Sequence, residues 1–181
     1  MTPSNPLYNF HFCPLCGAPD FEEHAPNARK CKACGFTYYA NPRGATVAII
    51  HNDRDEFLVA TRAKNPAQGT LDMVGGFLDL DENAEQGMCR EIAEETGLIV
   101  APEQLHYLFS QVNHYTYSGI TLHTCDLFFE LRVAGRPEVK AHDDVAQLQW
   151  IPRQQLRIAD FGFESIRQGL ARLLGEVADE D

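Results

Sequence analysis

The chain of 181 residues contains no apolar run near the ~20 residues needed to cross a bilayer, which excludes a helical membrane protein. Its opening stretch, MTPSNPLYNFHF, has no basic segment leading into an apolar one. A secretory leader is therefore not expected, and a cytoplasmic location is. Basic residues are scarce: 15 Lys and Arg face 26 Asp and Glu, for a net charge of −11. So acidic a chain is a poor non-specific ligand for nucleic-acid phosphates, and long nucleic acid is not an expected partner. Low-complexity tracts are missing, which argues against a disordered scaffold.

Cysteine is present, but not in the pattern of a disulfide framework. Cys13 and Cys16 make one CxxC pair, Cys31 and Cys34 another, and Cys89 and Cys125 stand apart. Each pair is followed by glycine, which permits the tight turn that aims backbone N–H groups at sulfur. Four thiolates at this spacing make a closed tetrahedral Zn²⁺ site, structural because no position stays open for water. A redox-active CxxC needs a thioredoxin-like βαβ pattern, which this stretch lacks. Cys89 and Cys125 read as small buried hydrophobes.

The spacing of apolar residues and turn signals divides the chain at Asn41-Pro42-Arg43-Gly44. Residues 1–40 form an N-terminal segment and the ribbon, with residues 1–9 expected to be a flexible lead-in; residues 41–181 form the main domain. There, residues 46–51 and 57–61 read as a hairpin around Asn52-Asp53-Arg54-Asp55. A short strand over residues 71–74 ends at Gly75-Gly76. A helix starts near residues 81–83 and stops at Gly97, a residue suited to a left-handed cap. Two long strands over 105–117 and 121–133, a short one over 147–151 and an amphipathic helix over 161–174 complete the pattern.

The central helix is where the acid is concentrated. Residues 79–95 carry seven acidic residues against Arg90 alone. Glu91, Glu94 and Glu95 fall within an arc of roughly 100° on a helical wheel. Three such neighbours repel one another unless a cation lies between them. Oxygen-only ligands suit a hard ion, Mg²⁺ or Mn²⁺. Such an ion can polarise phosphorus and lower the pKa of a bound water. A solvated acidic helix is the plain alternative.

Gly76, Glu82, Arg90, Glu91, Glu94, Glu95 and Gly97, with Ile92 and Leu98, fit the pattern G-x5-E-x7-R-E-U-x-E-E-x-G-U without a gap. This resembles the signature of the Nudix hydrolases, which cleave nucleoside diphosphates linked to another moiety. The resemblance implies an α/β (α+β) fold with a mixed β-sheet sandwiched between helices, and here a small N-terminal zinc ribbon. It assigns metal ligation to Glu91, Glu94, Glu95 and the Gly76 carbonyl, and makes Arg90 a residue that positions the catalytic glutamate. Glu91 is the candidate base and Glu82 a structural support. A further carboxylate before an aromatic is matched to Asp144, six positions ahead of Trp150, with Glu138 as second choice. The departure from the family is Val74 where many members have proline.

A four-Cys ribbon ahead of such a domain is similar to the NADH pyrophosphatases and related ADP-ribose pyrophosphatases. Ser110-Gln111 matches the start of a segment seen in the former, but Val112-Asn113-His114-Tyr115 does not continue it. Ser110, Gln111, Tyr39 and Tyr115 are the candidate substrate contacts, the tyrosines by stacking on flat rings together with Tyr38 and Tyr117. Packing is the alternative role for all four tyrosines. The expected partner is a small nucleotide. A homodimer, through the ribbon or the strand pair over 105–133, is compatible with the resemblance. The alternatives are a nucleotide-pool or NAD-capped-RNA hydrolase and a non-catalytic sensor whose ribbon, with Arg29, Lys30 and Lys32, binds a partner.

Overall fold

The computed structural model describes residues 1–2, 4–117, 119–142 and 145–175. They group into two compact units. One holds Met1–Arg43 and His114–His123; the other holds Gly44–Asn113 and the chain from Thr124 onward.

The first unit contains a small antiparallel sheet of β1 (Phe21–Ala25), β2 (Ala28–Cys31) and β3 (Thr37–Tyr39), in that order. Phe21, Cys13 and Cys31 are buried together, with Ala18 and Phe36 against them. The lead-in differs from its expected flexibility. Arg29 donates to the carbonyls of Leu7 at 2.8 Å, Tyr8 at 3.0 Å and Phe21 at 2.7 Å. Leu7 is buried. One guanidinium with its five donors thus ties residues 7 and 8 to the sheet.

Most of a mixed sheet lies in the second unit. Its strands are β4 (Arg43–Asn52), β5 (Glu56–Arg62), β6 (Leu71–Asp72), β7 (Val74–Phe77), β8 (Leu105–Tyr117), β9 (Ile120–Val133) and β10 (Val145–Pro152). The order is β10-β5-β4-β9-β8, with β6 on β5 and β7 on β4. The residue 71–74 strand of the sequence reading is in fact two, and the second continues through both glycines to Phe77. Pairing with β4 carries it on, since a backbone ladder needs no side chains.

Strand alternation puts a helix on each face. Val47 and Ile49 of β4 and Phe57 and Val59 of β5 pack with Ile166 and Leu170 of α2 (Glu164–Leu174). Ala48 and Ile50, with Leu58 and Val74, pack with Met88 and Ile92 of α1 (Ala84–Thr96). Central strands buried on both sides read as continuous apolar runs, and ATVAII does so. Helix α2 begins at Glu164, later than its apolar spacing suggests, because Phe163 is extended. Gly169 admits a ring: a Cβ there would lie 2.5 Å from Phe128. Among the described residues no helix is long and apolar enough to cross a membrane.

Candidate active site and thiol cluster

Helix α1 is fixed at both ends by its own sequence. Asn83 accepts from the Gln86 N–H at 2.9 Å while Gln86 accepts from the Asn83 N–H at 3.0 Å, a reciprocal cap. Gly97 closes the other end in the left-handed region, φ 77°. Between them Met88, Ile92 and Glu95 share the buried stripe. Glu95 is thus a carboxylate on a core-facing position, 7% exposed. It accepts from the Gly75 N–H at 3.0 Å, as a buried charge requires of its surroundings.

Strand β7 sets the glycines beneath this helix. Thr46 lies opposite Gly76 and Val47 opposite Gly75. Gly75 has φ 154°, and a Cβ there would collide with the Thr46 carbonyl. At Gly76 a Cβ would lie 2.5 Å from Glu91 Oε1. The Glu91 carboxylate therefore rests against the bare Cα of Gly76, and only glycine leaves that room. Leu78 extends the same device: a Cβ on Gly44 would come 2.7 Å from its side chain, and one on Gly87 would overlap it.

Arg90 joins the acidic groups. It pairs with Glu82 through Nε at 2.7 Å and Nη2 at 2.9 Å, and with Glu91 and Glu94 through Nη1 at 2.8 and 3.0 Å. Nη2 also holds the Phe77 carbonyl at 3.0 Å. The Arg90 guanidinium, then the Asp79 N–H, hold the Glu82 carboxyl below its usual value. Glu82 in turn raises the pKa of Arg90 further. The sequence reading placed Glu82 as support; its fork-to-fork pairing with Arg90 was not readable from spacing.

Among the described residues, the metal-competent cluster with all ligand atoms within 4.8 Å of one another is that of Cys13, Cys16, Cys31 and Cys34. Glu91 and Glu94 instead turn to Arg90, and Glu95 to Gly75. The thiols face each other at 3.8 Å for Cys13–Cys34 and 3.7 Å for Cys16–Cys31. Each knuckle closes on its glycine: Gly17 N–H meets Cys13 O at 2.9 Å and Gly35 N–H meets Cys31 O at 3.0 Å. Burial opposes ionisation of Cys13, but the backbone of Cys16 and Leu15 and the facing thiols outweigh it and bring this thiol to about 7.

The remaining candidates are dispersed. Ser110 is exposed and Gln111 half-buried on β8, in the second unit; Tyr39 is exposed and Tyr115 half-buried, in the first. Asp144 and Asp143 lie outside the described residues. Glu138 is exposed beside Lys140, at 3.7 Å. Its segment meets the end of α1, where Lys140 N–H donates to Thr96 O at 3.0 Å and His142 N–H to Glu95 O at 3.3 Å. Cys89 and Cys125 are half-buried rather than enclosed. Sequence reasoning also passed over Thr46, a hydroxyl inside an apolar strand.

The model of the NUDIX domain matches residues 41–173. The chain belongs to the Nudix family. Among its Nudix relatives, the ADP-ribose pyrophosphatase of Methanocaldococcus jannaschii is 31% identical over 72% of this chain and 74% of that protein. The NAD-capped RNA hydrolase NudC of Stutzerimonas stutzeri is 28% identical over 92% of this chain, which spans 55% of that protein. The chain spans about half the length of the NudC relatives it matches. A NUDIX hydrolase from Nitrosomonas europaea shares the fold at TM-score 0.65 and 20% identity, over 93% of this chain and 96% of that one. So does a bifunctional NMN adenylyltransferase/ADP ribose pyrophosphatase from Francisella tularensis, in complex with AMP and an Mn ion. Its TM-score is 0.62 at 26% identity, over 76% of this chain and 42% of that one.

The Arg90 hub generates a prediction about pH. Glu82 has a depressed native value, so its contribution to stability is full above the ordinary 4.5 and is lost as pH falls through the native value. Arg90→Ala should cost about 2 kcal/mol at pH 7, between exposed and buried pairs, with the difference closing in acid. Urea denaturation across pH 3–7 reads this; a penalty independent of pH counts against the hub.

Proposed function

We propose that this Nudix protein hydrolyses the phosphoanhydride bond of a nucleoside diphosphate linked to a second moiety, of the NADH/NAD⁺ or ADP-ribose type, releasing AMP. The observation that carries this is the seating of Glu91 against Gly76 and Glu95 against Gly75 on one helix–strand pair. The names of two relatives, ADP-ribose pyrophosphatase and the Francisella protein with AMP and Mn, support it.

The residues present fit a divalent ion: all offer oxygen, and Gly76 leaves the room that the Glu91 carboxylate occupies. Glu91, Glu94, Glu95 and the Gly76 carbonyl would hold it, with Asp144 the candidate for a further ligand. Bound Mg²⁺ or Mn²⁺ polarises phosphorus and makes water more acidic. Glu91 takes the proton of the attacking water as a new O–P bond forms and the anhydride P–O bond breaks. The leaving phosphate takes the electron pair. Arg90, braced by Glu82, keeps Glu91 and Glu94 in place. The products are AMP with nicotinamide mononucleotide or with ribose 5-phosphate.

A second reading, hydrolysis of NAD-capped RNA, is favoured by the match to NudC over 92% of this chain. Against long RNA, two of the three clustered basic residues are engaged: Arg29 with carbonyls and Lys32 with Glu22 at 2.5 Å. Glu94→Gln should lower turnover by 100-fold or more (an estimate on the order of removing a metal ligand) while the protein stays folded. Product analysis with Mg²⁺ and Mn²⁺ against NADH, NAD⁺, ADP-ribose and NAD-capped RNA reads this. Near-normal rates in the variant would remove the assignment.

We infer that the thiol cluster holds structural zinc. A tetrahedron with Zn–S bonds of ~2.3 Å has edges of ~3.8 Å, and the facing sulfurs lie at 3.8 and 3.7 Å. One zinc per chain is expected by emission spectrometry, with a lowered melting temperature on chelation. Protein purified without zinc and equally stable would refute it.

A homodimer is also proposed, through β8. This strand ends the sheet and has no Asp, Glu, Lys, Arg or Pro in thirteen residues, with Tyr107 and Val112 exposed. Edge strands left so unprotected pair with others. The opposite edge, β10, has a register shift and ends in Pro152. Sedimentation should give a dimer that Val112→Lys dissociates; a wild-type monomer at micromolar concentration excludes it.

A further inference from the structure

Thr46 is 1% exposed, and among the described residues its Oγ1 is the buried side-chain polar atom without a hydrogen-bond partner. A buried hydroxyl left unpaired costs about 1–3 kcal/mol. In the strand Ala45-Thr46-Val47-Ala48-Ile49-Ile50 every neighbour is apolar, and valine would occupy the same volume without that cost. A hydroxyl at such a place points to a partner that the described residues do not supply.

Its position says which partner. Thr46, Ala48 and Ile50 alternate onto one face of β4, and Ala48 and Ile50 pack under α1 with Met88 and Ile92. Ala48 is opposite Val74 and Thr46 opposite Gly76, with no irregularity between them. Directly opposed residues of an antiparallel pair point to the same side, with Cβ atoms roughly 5 Å apart. The Thr46 side chain therefore points to the side on which the Glu91 carboxylate fills the space over Gly76. Glu95, on the buried stripe of α1, reaches the neighbouring Gly75. The hydroxyl is a donor placed beneath two carboxylates, and it bonds neither.

We propose that Thr46 is a positioning residue whose hydroxyl is satisfied by the hydration shell of the divalent ion. This rests on the reading of Glu91, Glu94 and Glu95 as ion ligands. Mg²⁺ dehydrates reluctantly and keeps several waters in protein sites. Partners in the layer behind metal ligands orient the site, and removing one typically weakens metal binding about 10- to 100-fold. Thr46 would reach this site from β4, and the carboxylates from α1.

The test compares wild type, Thr46→Val, Thr46→Ser and Glu94→Gln, all zinc-loaded. Melting temperature is measured without added Mg²⁺ or Mn²⁺, and Mn²⁺ affinity by electron paramagnetic resonance. Thr46→Val should be as stable as wild type or more so, yet bind Mn²⁺ about 10-fold more weakly. Thr46→Ser, which keeps the hydroxyl, should bind within about twofold of wild type. Unchanged Mn²⁺ affinity in Thr46→Val overturns the proposal. A lower melting temperature in Thr46→Val also overturns it, because the hydroxyl then has a partner within the protein. The underlying reading fails separately, and the proposal with it, if wild type binds no Mn²⁺ or Glu94→Gln binds it undiminished.

Discussion

Like-charge repulsion along one face of α1 is the constraint on which the rest of this structure depends. Glu91, Glu94 and Glu95 crowd a single turn, and the helix folds because each is answered differently. Arg90 takes Glu91 and Glu94 and is itself clamped by Glu82. Glu95 is answered by a backbone N–H from β7. Glu91 and Glu94 thus share one Arg90 nitrogen, and Glu95 is held apart from them by the strand. The glycine at 76 follows from the same constraint, since a side chain there would displace Glu91; one at 75 would instead collide with the Thr46 carbonyl.

The ribbon follows a different logic. Its sheet has three short strands and little core beyond Phe21, Cys13 and Cys31. Such a unit cannot bury enough apolar surface to fold well alone. Its stability therefore comes from cross-links of other kinds: thiol positions fixed by two knuckles, and Arg29 gathering three carbonyls. Two of the four thiols, Cys13 and Cys31, lie in that small core, and Cys16 and Cys34 lie at its surface.

Much of this was legible in the sequence because each signal had a local cause. The helix ends at Asn83 and Gly97 follow from capping chemistry. The central strands follow from an apolar run too short for a helix, and the knuckles from Cys spacing. What escaped depends on contacts distant in sequence. The strand through Gly75-Gly76 exists because β4 offers it a ladder, and glycine reads locally as a break. The fixed lead-in depends on Arg29, which spacing marks only as a surface charge. Thr46 looks like an ordinary β-former until Gly76 is placed opposite. Tyr39 shows why an aromatic residue alone identifies no ligand: exposure on a strand is equally the mark of a surface.

The end of α1 has a mechanical consequence. Its last carbonyls, those of Glu95 and Thr96, accept from the backbone of His142 and Lys140. These are bonds between main chains, so no rotamer change can absorb strain across them. The segment over residues 138–142 is thereby anchored to the same helix turn whose Glu95 carboxylate holds the Gly75 N–H, so strand β7, helix α1 and this segment meet at one residue.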